Sequence, residues 1–137
     1  MRSERIQRGR DLKREILQTI ANQYPERDYE IVVECLEFTC LCPQKPDQPD
    51  FATFQISYVP NQLLIELKSL KLYLVSYRND EIYHEAATNR ILEDLVAAGQ
   101  PRWMKIVGYW NVRGGMRTTV IAEHGSSPRS AEAGFRM

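Results

Sequence analysis

The hydrophobic period of this chain changes from two to about 3.6 near its middle and then back to two, which restricts the folds that it can adopt. Apolar and polar side chains alternate over residues 52–58, a pattern that predicts a strand with one buried face. Apolar side chains recur at helical spacing over residues 70–77 and again over 83–98. Residues 102–112 and 116–123 have strand patterns once more. Two helices are therefore expected between two sets of strands.

Further elements complete this order. Residues 29–38 are rich in β-branched side chains and predict the first strand, and residues 63–67 alternate as a short third strand. A short N-terminal helix is expected from Asp11 to about Gln23, and Gly99 is expected to end the second long helix. Arg113-Gly114-Gly115 predicts the last turn. The order helix, β-β, helix pair, β-β predicts an α+β domain, with an antiparallel sheet and its helix pair on one face.

Length and charge exclude several classes of protein. The 137 residues suit one main domain, which we place at 29–125, with an N-terminal extension at 1–28 and a disordered tail at 126–137. Lys plus Arg equals Asp plus Glu, at 18 each, so no net field draws the chain to nucleic acid or to an anionic membrane. No apolar run reaches membrane-spanning length, and the charged N-terminus does not have the pattern of a signal peptide. A cytoplasmic protein is expected.

The strand at 102–112 is apolar on both of its faces. One face would carry Met104, Ile106 and Trp110, and the other Trp103, Val107 and Tyr109. A single layer of helices covers only one face of a sheet, so the second face or the edges need another partner. We infer a homo-oligomer in which sheets join or stack between subunits.

Three cysteines, Cys35, Cys40 and Cys42, lie close together in the sequence. Their odd number does not fit a disulfide framework, in which cysteines pair. Cys42 directly precedes a proline-rich loop that ends at Asp50. A thiol attacks only as the thiolate, and Asp50 could act as its base and later as a proton donor. A packed thiol beside a solvated aspartate explains the same residues, because free cysteines are usually only packed.

A zinc site is a second use for these cysteines. Structural zinc takes four ligands, with two to four residues between paired cysteines. Only one residue separates Cys40 from Cys42, and His84 and His124 are far apart in the sequence. No metal is therefore expected.

Charged side chains elsewhere have two explanations each. His84 and Glu85 begin the second long helix, where Glu85 could accept two donors from a purine-like base or simply favour the helix dipole. Lys68, Lys71 and Arg113 suit phosphate groups, but a solvated basic face explains them too. No G-x-G-x-x-G motif follows a strand, so a dinucleotide would have to bind outside a Rossmann fold.

Four segments together resemble one enzyme family. EFTCLCP…QPDFA, IELKSLKLY, YHEAATN and RGG closely resemble the short, single-module form of NADPH-dependent 7-cyano-7-deazaguanine reductase, over about residues 30–115. The resemblance implies the tunnelling fold, a ββααββ domain shared with GTP cyclohydrolase I that closes barrels between subunits. It also implies a cytoplasmic homo-oligomer, a decamer of two pentamers, that reduces a nitrile for queuosine biosynthesis in tRNA.

The same resemblance implies a role for each candidate residue. Cys42 matches the nucleophile that forms a covalent thioimide with the nitrile, and Asp50 matches the proton-transfer residue. Two hydride transfers from NADPH would then give 7-aminomethyl-7-deazaguanine, with no metal. The residues that match substrate contacts are Ile65, Glu66, Leu67, His84 and Glu85, and those that match NADPH phosphate contacts are Lys68, Lys71 and Arg113.

Three other functions remain open at this point. A related amidinotransferase uses the same Cys-Asp pair on a nitrile base already in tRNA, without NADPH. A tunnelling-fold enzyme that acts on GTP or a pterin would need a zinc site. A non-catalytic purine- or pterin-binding oligomer would leave Cys42 with ordinary thiol reactivity.

Overall fold

The computed structural model describes Gly9 and residues 12–127. The strands are β1 (Thr19–Ala21), β2 (Ile31–Cys42), β3 (Lys45–Val59), β4 (Leu63–Ile65), β5 (Trp103–Trp110) and β6 (Thr119–Gly125). The helices are α1 (Leu67–Val75) and α2 (His84–Gly99), and residues 12–16 are also helical. The helix pair thus lies between two sets of strands, as the change of hydrophobic period predicts.

The main sheet is antiparallel, with strand order β2-β3-β5-β6, and β1 pairs with β4 in a separate ladder. Alternate side chains of β3, namely Ala52, Phe54, Ile56 and Tyr58, are buried. They form one apolar cluster with side chains of α1 and α2, which pack on that face of the sheet. The predicted α+β class, with a helix pair on one face of an antiparallel sheet, is confirmed.

The N-terminal helix is shorter than the sequence pattern predicts. Helical backbone covers residues 12–16, but Thr19 and Ile20 belong to β1, which pairs antiparallel with β4. The prediction of a helix to Gln23 is therefore wrong. The physical reason is a backbone partner far along the chain, which local periodicity does not reveal. Through β1, the predicted N-terminal extension contributes hydrogen bonds to the fold.

The predicted proline loop is a β-hairpin. β2 continues to Cys42, the chain turns at residues 43–44, and β3 starts at Lys45. The ladder shifts register between Leu41 and Cys42, so part of the proline-rich segment bulges out. β5 pairs with β3 only from Ala52 onward. The prolines therefore lie where β3 has a free edge, which is where a strand tolerates them.

The third predicted strand ends earlier than the sequence pattern indicates, because Glu66 is the N-cap of a helix. β4 ends at Ile65, and Leu67 is the first residue of α1. The Glu66 carboxylate accepts hydrogen bonds from the backbone N–H groups of Lys68 and of Ser69, the latter at 3.0 Å. A side-chain acceptor at this position satisfies N–H groups that a helix otherwise leaves unpaired.

The second long helix ends at Gly99, as predicted. The residue with left-handed backbone is the next one, Gln100, with φ of 46°. A Cβ on residue 99 would lie 2.7 Å from Cδ1 of Ile65, so α2 approaches β4 closely at this glycine.

The sheet face opposite α1 and α2 carries a row of exposed apolar side chains. Val32, Phe51, Tyr109 and Ile121 are 44–62% exposed. Trp103 and Val107, which share this face, are buried. β5 therefore carries apolar side chains on both faces of the sheet, as its sequence predicts. The homo-oligomer inferred from this pattern stays a prediction.

Parts of the chain fall outside this description. Residues 1–8, 10 and 11, and 128–137 of the predicted tail, lie outside the described residues. Within the described part, no helix has the length and apolar character needed to cross a membrane.

Candidate active site

A buried carboxylate with two basic neighbours marks one end of the main sheet. Asp50 is 5% exposed. Its Oδ2 lies 3.2 Å from Nε2 of His84, and its Oδ1 lies 3.3 Å from Nη2 of Arg113. A buried carboxylate is costly unless it has polar partners, and here each oxygen has one. A carboxyl group held in this way is suited to proton transfer.

Distant parts of the chain meet at Asp50. The β2–β3 ladder places Asp50 opposite Cys40. The next residue of β2, Leu41, donates its N–H to the carbonyl of Asp80 at 2.9 Å and accepts from the N–H of Ile82 at 3.1 Å. These bonds join the end of β2 to the segment before α2. They bring the first residue of α2, which supplies the imidazole, to the hairpin.

The imidazole of His84 is held by an aromatic neighbour. It stacks on the indole of Trp110, with ring centroids 4.0 Å apart and planes 6° apart. Trp110 is 1% exposed, and its Nε1 donates to Oγ1 of Thr88 at 3.4 Å. The stack fixes the plane of the imidazole and directs Nε2 to the carboxylate. Trp110 was not among the predicted site residues, because its alternation assigned it only to a sheet face.

Arg113 reaches Asp50 from the turn after β5. Gly114 and Gly115 have φ of 58° and 79°, which glycine adopts without strain, so the predicted turn is confirmed. Arg113 Nη2 also donates to the carbonyl of Pro49. The turn therefore folds over the β2–β3 hairpin. The structure places this guanidinium beside the carboxylate and not with the two lysines that share its predicted role.

The three thiols differ in their surroundings. Cys40 is fully buried, and its burial, followed by the charges of Asp50, Asp80 and Cys42, raises its pKa to about 12. Burial likewise raises the pKa of Cys35 to about 11. Thiols with raised pKa values stay protonated near neutral pH and are poor nucleophiles.

Cys42, the predicted nucleophile, is more exposed than Cys40. It is partly exposed and lies at the end of β2, two residues beyond the partner of Asp50 in the ladder. The described residues contain no cluster of three or more His, Cys, Asp or Glu side chains that could hold a metal ion.

Glu85 follows His84 in the first turn of α2. Its side chain is exposed, and its backbone carbonyl accepts a hydrogen bond from Nδ2 of Asn89 at 2.9 Å. Among the described residues its carboxylate has no ion-pair partner, so it remains available to a ligand.

The segment Ile65–Leu67 lies at the opposite end of the fold. Ile65 is buried near Tyr58 and against Gly99, the last residue of α2. The 16 residues of α2 span about 24 Å at the usual rise per residue. His84, at the start of α2, is therefore far from Ile65 in the same chain. The structure brings Asp50, His84 and Arg113 into contact, on the hairpin that also carries Cys42, with Glu85 next to His84 in sequence. It does not bring the predicted substrate segment there.

Lys68 and Lys71 lie on α1 and are exposed. Within the described residues neither ammonium group has an ion-pair partner. The backbone N–H of Lys68 is already bonded to the carboxylate of Glu66. The two lysine side chains are thus available to bind an anion, whereas this N–H group at the helix N-terminus is not.

Fold and site together define a tunnelling-fold domain whose first hairpin carries a partly exposed cysteine on one strand and a buried acid on the other. The family model of the QueF-like proteins matches residues 49–129, more than half of the chain. The chain therefore belongs to the QueF-like family, and the predicted family membership is confirmed.

Curated relatives carry the name NADPH-dependent 7-cyano-7-deazaguanine reductase, among them proteins of Anaeromyxobacter and Halorhodospira. The protein of Anaeromyxobacter sp. (strain K) is 57% identical over 112 residues, which cover 82% of this chain and 91% of the relative. That of Halorhodospira halophila (strain DSM 244 / SL1) is 60% identical over 108 residues, which cover 79% and 91%.

The fold is also similar to that of a solved structure. The crystal structure of the archaeosine synthase QueF-Like in the apo form superposes with a TM-score of 0.66 at 25% sequence identity. The match covers 72% of this chain and 96% of that one. The predicted tunnelling fold is confirmed.

Proposed function

We propose that this chain uses NADPH to reduce the nitrile of 7-cyano-7-deazaguanine to the aminomethyl group of 7-aminomethyl-7-deazaguanine, in tRNA queuosine biosynthesis. The observation that supports the proposal is that the two paired strands of the β2–β3 hairpin carry a partly exposed Cys42 and a buried Asp50. The similarity to reductases along most of the chain supports it. The proposal includes a cytoplasmic location, where thiols stay reduced.

Cys42 is the proposed nucleophile. Its sulfur adds to the nitrile carbon, while the thiol proton passes through Asp50 to the nitrile nitrogen, which gives a covalent thioimide. A nitrile carbon is a poor electrophile, so this addition divides one difficult step into easier ones. Reduction of a nitrile to an amine requires two hydrides, and two molecules of NADPH, bound in turn, would each supply one. Cys42 leaves as thiolate when its bond to carbon breaks, and Asp50 can return a proton.

Glu85 and His84 are the proposed substrate contacts at the catalytic hairpin. The exposed carboxylate of Glu85 can accept an N–H and an exocyclic amine from the guanine-like edge of the base. His84, fixed by its stack on Trp110, can donate or accept beside the reacting group. Both side chains come from the first turn of one helix, so they share a rigid support.

Lys68 and Lys71 fit the phosphates of NADPH. They are exposed on α1, three residues apart, and have no ion-pair partner among the described residues. Residues three apart on a helix lie on neighbouring positions of one face. Ammonium groups on flexible stems can then surround one phosphate. Arg113 is the third predicted contact and stays a prediction.

The proposal also includes a second copy of the chain. The substrate segment Ile65–Leu67 lies about 24 Å from the start of α2 in the same chain. A neighbouring subunit could supply this segment, and joined or stacked sheets would cover Val32, Phe51 and Ile121. An imine intermediate would hydrolyse in water, so a site closed between subunits also suits the chemistry. A decamer of two pentamers remains the specific proposal.

The direct test is to mix the full chain with 7-cyano-7-deazaguanine and NADPH and to follow cofactor oxidation and product mass together. We expect two NADPH oxidised per aminomethyl product, and no product from Cys42→Ala. Product formation at wild-type rate by Cys42→Ala would contradict the proposed nucleophile.

An amidinotransferase is the second candidate, because the fold is similar to that of an archaeosine synthase. That reaction predicts a covalent adduct of substrate mass on Cys42 without any NADPH consumption under turnover conditions. The same assay therefore separates the two functions.

A further inference from the structure

The contact between Arg113 and Asp50 gives the arginine a second role besides the predicted phosphate contact. Its Nη2 is 3.3 Å from Oδ1 of Asp50 and also donates to the carbonyl of Pro49, the residue before the carboxylate. The guanidinium thus binds both the side chain of Asp50 and the backbone that carries it.

We propose that Arg113 is a positioning residue for Asp50, which sets the carboxylate for the proton transfer that forms the thioimide, before any hydride transfer. This inference rests on the proposed function. It differs from a phosphate contact because it predicts a role in a step that consumes no NADPH.

The geometry shows how Arg113 and His84 together fix this carboxylate. Asp50 has two oxygens, and the imidazole of His84 from α2 faces one of them at 3.2 Å. The other oxygen faces Arg113, from the turn after β5. Cys40 of β2, which lies opposite Asp50 in the ladder, is a further titratable neighbour. Without Arg113, Oδ1 would lose its basic partner among the described residues, and the carboxylate would be held by His84 alone.

A rigid turn holds Arg113 in place. Arg113 and Met116 exchange backbone hydrogen bonds at 2.8 and 3.0 Å. The two glycines between them adopt positive φ, so the turn is tight. The arginine is therefore anchored at its backbone as well as at its tip.

The test is the rate at which the full chain gains the mass of 7-cyano-7-deazaguanine on Cys42 in the absence of NADPH. The variants are Arg113→Gln, which keeps amide donors for the Pro49 carbonyl but loses the charge, and Arg113→Lys, which keeps the charge. The matched control is Arg117→Gln, an exposed arginine in the same connection between β5 and β6.

We expect Arg113→Gln to slow adduct formation by about 10- to 100-fold, because a misplaced general acid–base loses much of its effect. Arg113→Lys should recover most of the rate, and Arg117→Gln should stay within about twofold of wild type, as a solvated surface substitution does. Recovery by lysine but not by glutamine separates a charge effect from a lost backbone contact.

Equal adduct rates for wild type and Arg113→Gln would overturn the inference, even if the KM for NADPH rises. Equal rates for Arg113→Gln and Arg113→Lys, both slow, would overturn it too, because a positive charge beside Asp50 would then not restore the rate. Failure of the wild-type chain to form any adduct would instead overturn the proposed function, so the two failures are distinguishable.

Discussion

The two ends of the fold differ in how they satisfy their charged groups. At the catalytic end, which we define by Cys42, Asp50, His84 and Arg113, a buried carboxylate is paired with basic side chains from distant parts of the chain. At the helix-start end, defined by residues 65–71, a carboxylate caps α1 and the lysines stay exposed.

This difference shows what each end can do. The catalytic end keeps Asp50, the proposed proton-transfer group, away from water, whereas the helix-start end offers exposed positive charge to an anion. The length of α2 keeps the two ends about 24 Å apart in one chain. A reaction that needs both ends therefore requires the catalytic end of one copy and the helix-start end of another.

The largest effect should come from the nucleophile at the catalytic end. Cys42→Ala should reduce turnover on the order of 10⁴-fold or more, because an essential nucleophile is lost. Cys40→Ala is the matched change two residues away, where the thiol is buried and its pKa is raised to about 12. It should keep turnover within about threefold of wild type, as expected for a thiol that only packs.

The assay is product formation measured by mass, with thermal unfolding as the control for folding. Loss of turnover in Cys40→Ala with Cys42→Ala still active would exchange the roles of the two thiols and refute the site.

The second effect concerns the acid of the catalytic end. Asp50→Asn should slow both adduct formation and turnover by about 10²- to 10³-fold, because asparagine cannot transfer a proton. Asp47→Asn is the control, an exposed aspartate in the same hairpin. A normal adduct rate in Asp50→Asn would show that Asp50 has only a structural role. An equal loss of rate in Asp47→Asn would show that the assay responds to changes in the hairpin as a whole and not to loss of the acid.

A smaller effect is expected at the helix-start end. Lys68→Gln and Lys71→Gln should each lower kcat/KM for NADPH about tenfold, the usual loss for one charged hydrogen bond. Adduct formation without NADPH should not change. Arg78→Gln, an exposed cation after the end of α1, is the control. Unchanged kcat/KM in both lysine variants would exclude α1 as the phosphate site.

The smallest effect is a pH dependence of stability. Below the ordinary pKa of 9.0, Cys40 is neutral in both the folded and unfolded chains. Because burial first, and nearby negative charge second, raise its folded pKa to about 12, only the unfolded chain ionises between these values. Its contribution to the free energy of unfolding is thus intact below pH 9.0 and falls as the pH rises toward 12.

We expect the midpoint of urea unfolding to fall less steeply over this pH range in Cys40→Ala than in wild type. Identical pH profiles for the two chains would show that the Cys40 thiol is not protected from ionisation by the fold.

Much of the fold was predictable from local pattern. The alternation in β3 and the helical spacing in α1 and α2 reflect one buried face for each element, and the glycines after Arg113 indicated their turn. β1 was not predictable in this way, because it pairs with residues far along the chain. The hairpin at Cys42 was not predictable because the prolines in it indicated a loop, whereas the segment pairs with β2.

The candidate site shows the same limit. Cys42, Asp50 and His84 were recognisable from motifs, and their roles stay predictions. The stack of His84 on Trp110 and the pairing of Arg113 with Asp50 depend on how sheet register and the last turn bring separate segments together. No periodicity or spacing within a short stretch reports such contacts.

The most direct test of a site shared between subunits combines, in one oligomer, chains altered at the catalytic end with chains altered at the helix-start end. Cys42→Ala chains would be co-expressed with Glu66→Gln/Lys68→Gln/Lys71→Gln chains, and mixed assemblies purified through two different tags. If each site takes its catalytic end from one copy and its helix-start end from another, turnover should recover to about a quarter of wild type, since random pairing leaves that share of sites intact. Turnover no greater than that of the two variants measured separately would contradict a site shared between subunits.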